Sequence, residues 1–236
     1  MHQIEICFSP DLIQHHELEG KIVVVVDIFR ATSTMVAALA NGVQKILPFA
    51  DLESCRLMQD KGFRIAGERN GHTAPGFELG NSPVAFLNNA FEGIQLAMTT
   101  TNGTQSIEKS KGAHEILIGA FPNIQATVSY IQGQQKDVLI HCAGWKGRFN
   151  LEDSLYAGAL VKSLESSHQA EEDGALAMRS LFEREGHRLK EYLSQASHAK
   201  RLQNHGIEKD IEFCLTFDLY DLVVKVDQDG FLVLVD

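Results

Sequence analysis

Carboxylates, arginines and hydroxyls collect at four places in the sequence, each directly after a short apolar run. Carboxylate oxygens are ligands for hard divalent cations, whereas guanidinium groups, hydroxyls and glycine-rich backbone amides hold oxyanions such as phosphate. The combination therefore predicts a site for a small anionic ligand together with a divalent cation. The residues are Asp27 with Arg30, Glu68 with Arg69, the segment 99–104, and Glu152 with Asp153.

The acidic residues of this set are the candidate metal ligands. Each has a structural alternative, since Asp27 can cap a following helix and Glu152 can favour the positive end of a helix dipole. Several carboxylates in one crevice repel each other and are costly to desolvate unless a cation compensates. Oxygen ligands of this kind suit Mg²⁺, which uses few protein carboxylates and keeps waters or substrate oxygens. The predicted metal ligands are Asp27, Glu68, Glu152 and Asp153.

The segment T-T-T-N-G-T at 99–104 is the candidate anion site. Glycine lets the backbone approach a ligand, consecutive amides at a helix start point outward, and hydroxyls add donors. The segment is neither a Walker loop nor a G-x-G-x-x-G dinucleotide fingerprint. The predicted substrate-binding residues are Arg30, Arg69, Thr100, Thr101, Asn102, Gly103 and Thr104.

A cysteine-dependent phosphatase is an alternative, because Cys142 and Arg148 have the C-x₅-R spacing of such enzymes. The match is partial: the motif favours glycine three residues after the cysteine and Ser or Thr after the arginine, and this chain has Trp145 and Phe149 there. A buried cysteine at a strand end is also an ordinary core residue.

Composition limits the classes of partner. A formal net charge of −10 over 236 residues gives no basic field for nucleic acid, so an anionic ligand must be met locally. The apolar run 22–26 is far shorter than the roughly 20 residues of a membrane span, and the N-terminus lacks a signal layout. We expect a cytoplasmic protein with reduced thiols, no membrane association and no nucleic-acid partner, and a homodimer is possible.

The segments that must position these residues alternate between predicted strands and predicted helices, which is typical of an α/β fold. Short apolar runs at 4–8, 22–29, 45–49, 63–66, 95–98, 116–119 and 138–141 alternate with helical patterns at 32–41, 51–62, 104–111, 123–133 and 152–166. Gly42, Gly62 and Gly112 stand where helix C-terminal caps belong. We expect a layered α/β/α fold with a largely parallel or mixed sheet, and ligands bind beyond the carboxyl ends of such strands.

The last third of the chain differs in character. A charged helical stretch at 171–206, broken at Gly186, is expected to be structural, and its histidines His187, His198 and His205 are expected to be solvated. The runs 222–226 and 231–235 flank a turn ending at Gly230 and predict a terminal β-hairpin. Without a linker or repeat, residues 1–236 are predicted to form a single domain.

Together these motifs resemble the 2-phosphosulfolactate phosphatase family. The residues that carry the resemblance are V-D-I-F-R-A-T-S-T at 26–34, G-E-R-N-G at 67–71, G-F-E-L-G-N-S-P at 76–83, T-T-T-N-G-T at 99–104, H-C-A-G at 141–144 and N-L-E-D-S-L-Y-A-G at 150–158. The likeness runs from about residue 22 to 158 and resumes weakly at 210–214. It implies an α/β fold distinct from the common phosphatase superfolds.

The resemblance also implies a Mg²⁺-dependent hydrolysis of 2-phosphosulfolactate to sulfolactate and phosphate, a step toward coenzyme M, or the same reaction on a related phospho-acid. Arg30 would then hold phosphate oxygens, and Arg69 the sulfonate or carboxylate of the substrate. Water is the favoured nucleophile, although the sequence leaves Asp27 or Asp153 as covalent alternatives. A non-catalytic module that binds a phosphorylated or sulfonated metabolite is the competing class. The predicted catalytic residues are Asp27, Arg30, Glu68 and Asp153.

Overall fold

A computed structural model describes residues 1–203 and 207–235 of the protein. The apolar runs form one eleven-stranded mixed sheet in this part of the chain. The strands are β1 (His2–Cys7), β2 (Ile22–Val26), β3 (Lys45–Phe49), β4 (Arg64–Arg69), β5 (His72–Thr73), β6 (Gln95–Thr99), β7 (Glu115–Gly119), β8 (Val138–Cys142), β9 (His168–Gln169), β10 (Val224–Val226) and β11 (Leu232–Leu234).

Helices connect the strands at the predicted segments, and Gly42, Gly62 and Gly112 have the positive φ angles of 95°, 87° and 105° that end such elements without strain. The helices are α1 (Ala31–Ala40), α2 (Leu52–Arg56), α3 (Gly103–Lys109), α4 (Ile124–Gln134), α5 (Leu151–Leu164), α6 (Asp173–Glu185), α7 (Leu189–Leu193), α8 (Ser197–Gln203) and α9 (Glu208–Cys214). Short 3₁₀ turns lie between several of them.

Both faces of the sheet are covered, which explains why β2 is apolar at every position. Ile22, Val24 and Val26 pack into a core on one face with α4 and α5. Val23 and Val25 pack into a second core on the other face with α1. A strand buried on both faces reads as a continuous hydrophobic run, so the predicted layered α/β/α fold with a mixed sheet is confirmed.

The predicted C-terminal hairpin is confirmed, but its place in the sheet was not foreseen. The strand order is β5-β4-β6-β3-β11-β10-β7-β2-β8-β1-β9, so the hairpin lies in the middle. It is antiparallel to β7 on one side and to β3 on the other. The two parallel groups that it joins, β7-β2-β8-β1-β9 and β3-β6-β4, therefore run in opposite nominal directions.

The carboxyl ends of β2 and β6 nevertheless meet, although they belong to different groups. Adjacent strands of a sheet commonly rotate by about 20–25°, so a twist of roughly 100–125° over the five steps from β2 to β6 would account for this meeting. The approach is close: a Cβ added to Gly103, at the start of α3, would lie 2.6 Å from the Ala31 Cβ and 3.0 Å from the Asp27 Oδ2. A side chain at position 103 would therefore displace the start of α1 or the start of α3.

No helix within residues 1–203 and 207–235 combines the length and the apolar character needed to cross a bilayer. All named strands lie in one sheet. The assignment of residues 1–236 to one domain stays a prediction.

Candidate active site

A cavity of about 320 Å³ lies where the ends of β2, β4 and β6 face helix α8. Two sets of side chains line it. The strand wall comprises Asp27, Arg30, Glu68 and Asn102, which follow or end the strands. The helix wall comprises His198, Arg201 and Leu202 of α8, with Phe29 and Trp145 beside them.

Asp27 is the buried carboxylate of the strand wall, with 7% of its surface exposed. Burial raises the pKa of its carboxyl to about 6, while a charge on His198 opposes the rise and the Glu68 carboxylate adds to it. A carboxylate held in a poorly solvated place close to a second carboxylate favours binding a cation or a proton. The Asp27 carboxylate can therefore bind either a divalent cation or a proton.

Glu68 reaches the cavity because β4 and β5 form a tight hairpin. Asn70 and Gly71 have positive φ angles of 54° and 85°, as the two central residues of an Asn-Gly hairpin turn require. One Glu68 carboxylate oxygen accepts a hydrogen bond from the Gly71 amide at 2.6 Å, and the other accepts from the Thr101 amide at 3.3 Å and the Thr101 hydroxyl at 3.1 Å. Glu68 thus ties the hairpin to the segment 99–104.

Arg30 is buried, and a buried charge needs a partner. Its guanidinium donates to the Asp210 carboxylate of α9, and Nη2 donates to the Gly71 carbonyl at 3.2 Å. Asp210 also accepts from the Ser82 hydroxyl at 2.6 Å. Asp210 is thus a positioning residue for Arg30 that the sequence analysis did not identify, although it lies in the segment 210–214 where the family resemblance resumes.

Most of the other predicted substrate-binding residues are engaged within the protein. Arg69 donates to the Glu68 carbonyl at 2.6 Å and to the Thr99 hydroxyl at 3.0 Å. Thr100 and Thr104 exchange amide-to-hydroxyl hydrogen bonds of 3.2 Å. Arg69, Thr100, Thr101, Gly103 and Thr104 are outside the lining of the cavity, whereas Arg30 and Asn102 belong to it.

The helix wall contains the largest departure from expectation. His198 was expected to be solvated, but it is 6% exposed and its Nδ1 lies 2.5 Å from Glu152 Oε1. The expectation was wrong because α8 folds over the cavity instead of facing solvent on all sides. His187 is exposed, as predicted, and His205 lies outside the described residues.

Glu152 and Asp153, at the start of α5, are outside the lining of the cavity and are 0% and 1% exposed. One Asp153 oxygen accepts from the Ile28 amide at 2.9 Å and the other from the Gly144 amide at 3.0 Å, so this side chain joins the ends of β2 and β8. Burial raises the pKa of Asp153 well above its usual range, and the carboxylates of Glu152 and Asp27 add to the rise. The second Glu152 oxygen, Oε2, is buried without a partner among the described residues.

The four predicted metal ligands therefore fall into two pairs. Asp27 and Glu68 line the cavity, while Glu152 and Asp153 are bound to His198 and to backbone amides. Within residues 1–203 and 207–235, no group of three or more His, Cys, Asp or Glu side chains is arranged to hold a metal ion. Asp27 and Glu68 still fit the manner in which Mg²⁺ binds, with one or two protein carboxylates plus water and phosphate oxygens.

The geometry does not favour the cysteine-dependent alternative. Cys142 is fully buried, and burial raises the pKa of its thiol well above the usual range, with the Asp153 carboxylate adding to the rise. A nucleophilic cysteine needs an accessible thiolate. Arg148 is exposed, and neither residue lines the cavity.

Comparison with known proteins agrees with the motifs. The family model described as 2-phosphosulpholactate phosphatase matches residues 7–229. A probable 2-phosphosulfolactate phosphatase from Thermotoga petrophila is 43% identical over 216 residues, covering 92% of this chain and 93% of that protein. A protein of the same name from Caldanaerobacter subterraneus is 36% identical, and the alignment covers 91% of this chain and 91% of that protein. Another from Gloeobacter violaceus is 35% identical, and the alignment covers 98% of each chain. This chain belongs to the 2-phosphosulfolactate phosphatase family, a family of phosphoric monoester hydrolases.

Proposed function

We propose that the protein hydrolyses 2-phosphosulfolactate, or a closely related small phospho-acid, to sulfolactate and inorganic phosphate, with Mg²⁺ as cofactor. The observation that carries the proposal is the cavity itself, which places two carboxylates, two guanidinium groups and an imidazole around a space of about 320 Å³. Family membership supports the substrate. A step toward coenzyme M and a cytoplasmic location are proposed from the family resemblance and the sequence.

Asp27 and Glu68 are the residues proposed to hold Mg²⁺. The ion would supply positive charge to the phosphoryl oxygens as the bond to the leaving oxygen weakens. Such a cation also offsets the repulsion between the two carboxylates, which is consistent with the raised pKa of Asp27. Glu152 and Asp153 are proposed to position the site through their hydrogen bonds to His198 and to the amides of Ile28 and Gly144.

Arg30 is proposed to bind the phosphate. Asp210 and the Gly71 carbonyl fix its guanidinium, so little conformational freedom is lost when the remaining N–H groups meet phosphate oxygens. Asn102 lines the same cavity as Asp27 and adds a polar side chain to the strand wall. Fixed donors of this kind stabilise charge that develops in the transition state.

His198 is proposed to move a proton at Nε2. Its Nδ1 is held by Glu152, and a carboxylate at one ring nitrogen fixes the orientation and tautomer of an imidazole. The Trp145 and Phe29 rings lie against it, with centroids at 5.7 and 6.1 Å. Water is the proposed nucleophile, and the two amide hydrogen bonds to Asp153 argue against that residue as a covalent nucleophile.

The test is phosphate release from 2-phosphosulfolactate by the purified protein. We expect turnover with added Mg²⁺, loss of turnover in EDTA, and recovery when Mg²⁺ is restored in excess. Turnover that EDTA does not change would contradict the metal proposal. Tight binding of the substrate without any phosphate release would instead establish a binding module.

A further inference from the structure

Arg201 is a cation of the cavity that neither the sequence motifs nor the roles proposed above use. It lies on the helix wall, and its Cζ is 4.6 Å from the centroid of the Trp145 ring. Its Nη1 donates to the Ser197 hydroxyl, one turn earlier on α8, at 3.4 Å. Stacking on Trp145 and this hydrogen bond hold the guanidinium over the cavity.

The Nη2 amino group of this guanidinium is unused. Nη2 of Arg201 is buried and has no hydrogen-bond partner within the described ranges. A buried N–H group of a charged side chain is costly to leave unpaired, and an oxyanion is the acceptor that matches a guanidinium best. The unused donor therefore points to an anionic group that enters with a ligand.

The two arginines predicted for anion binding, Arg30 and Arg69, already donate hydrogen bonds to groups of the protein. Arg30 is paired with Asp210. Arg69, which was expected to hold the sulfonate or carboxylate of the substrate, donates to Glu68 and Thr99 and is outside the lining of the cavity. The lining of the cavity thus contains one arginine that follows β2, Arg30, and another from α8, Arg201.

We propose that Arg201 binds a second acid group of the substrate, a sulfonate or carboxylate carried on the carbon chain away from the phosphate. This inference rests on the proposed function and deepens it. Arg30 then binds the phosphate, and Arg201 binds the acid group that distinguishes a phospho-acid from a neutral phosphate ester. Arg201 is a specificity-determining residue.

The experiment compares Arg201→Met with wild type on three compounds. These are 2-phosphosulfolactate, 2-phospholactate, which lacks the sulfonate, and O-phosphoisethionate, which has the sulfonate but lacks the carboxylate. A charge-assisted hydrogen bond lost in the variant should lower kcat/KM for 2-phosphosulfolactate by about 10- to 100-fold, chiefly through KM. Arg201→Lys should recover part of the loss because it restores the charge without the planar fork.

The truncated compounds identify the group that is bound. If Arg201 holds the sulfonate, the loss disappears with 2-phospholactate and persists with O-phosphoisethionate. If it holds the carboxylate, the pattern reverses. An equal loss with all three compounds, or no loss with any of them, would overturn the inference.

A matched control and a second readout keep this test separate from folding and from the proposed reaction. Lys200→Met removes the same charge from an exposed neighbouring position of α8 and is expected to leave all three kcat/KM values unchanged. Calorimetry with sulfolactate should show weaker binding to Arg201→Met than to wild type and Lys200→Met. If wild type released no phosphate from any compound, the proposed function would fail, and equal sulfolactate binding by all three proteins would overturn the Arg201 inference separately.

Discussion

The strand wall and the helix wall contribute to the same cavity, but their residues are not equally easy to recognise in the sequence. Asp27, Arg30 and Glu68 stand in conspicuous motifs next to apolar runs, whereas His198 and Arg201 lie in a charged helical stretch. A polar residue at the end of a buried strand is unusual and attracts attention. A histidine or arginine on a charged helix is ordinary, and only the packing of that helix gives it a function.

The two walls also differ in their support. The strand wall is fixed by internal hydrogen bonds, with Glu68 joined to Gly71 and Thr101 and Arg30 joined to Asp210. The helix wall is held by Glu152 through His198 and by the stacking of Arg201 on Trp145. We infer that changes in the strand wall impair the reaction itself, whereas changes in Arg201 impair the choice of substrate.

The largest effect is expected from Asp27→Asn, which removes a charge next to the reacting phosphate. We expect kcat to fall by about 10³-fold or more, because electrostatic stabilisation of the transition state is lost. Steady-state phosphate release at saturating Mg²⁺ measures it. The exposed Asp60→Asn should match wild type, and normal turnover by Asp27→Asn would remove the strand wall from the reaction.

A smaller effect, about 10²-fold in kcat, is expected from His198→Gln and from Glu152→Gln. The two residues act through one hydrogen bond, so the double variant should lose little more than either single variant. A double-mutant cycle on kcat, repeated across pH, measures the coupling. Additive losses would show that Glu152 does not act through His198.

Asp27→Asn is also expected to change stability in the direction opposite to activity. The Asp27 pKa is raised from 3.8 to about 6 in the folded protein. The folded state therefore binds more protons between these values, and wild type loses stability as the pH rises through them. In metal-free buffer at pH 8 we expect the variant to be more stable, by on the order of 3 kcal/mol.

Urea unfolding in EDTA at pH 4 and pH 8 measures this difference in the free energy of unfolding. Asp60→Asn serves again as the control, since its side chain is exposed. A stability difference that is the same at both pH values would contradict the raised pKa. A less stable Asp27→Asn at pH 8 would show instead that the carboxylate is structural.

The smallest effect is expected from Cys142→Ala. The thiol is buried away from the cavity, so we expect kcat/KM near that of wild type and a loss of stability of about 1 kcal/mol from the small void. Phosphate release and urea unfolding measure the two quantities. A variant that folds normally but has no activity would restore the cysteine alternative.

Much of the fold could be predicted because the strands and helix ends depend on residues that are close together in the sequence. The runs that become β2 and β8 are apolar at every position or nearly so, and the glycines at 42, 62 and 112 mark the ends of elements. The central place of the C-terminal hairpin could not be predicted, since β10 and β11 pair with strands distant in the sequence. Periodicity identifies a strand but does not name its neighbour.

The same limit applies to the candidate site. The motifs predicted that Asp27, Arg30, Glu68 and Asn102 would come together, and the structure places them at one cavity. They did not predict that Arg69 would be engaged internally, because Thr99 comes within reach of Arg69 only through the pairing of β4 with β6, which are distant in the sequence. The Asn-Gly pair at 70–71 is a local signal that could have predicted the turn between β4 and β5. No local signal identifies Arg201 or the contact between His198 and Glu152.

The crystal structure of the Asp27→Asn variant with 2-phosphosulfolactate is the most direct test that both walls serve one active site. The phosphate is predicted to lie against Arg30 and position 27, with the second acid group within hydrogen-bond distance of Arg201. A substrate bound elsewhere on the protein, or one that touches the strand wall while Arg201 remains unbonded, would contradict the shared site.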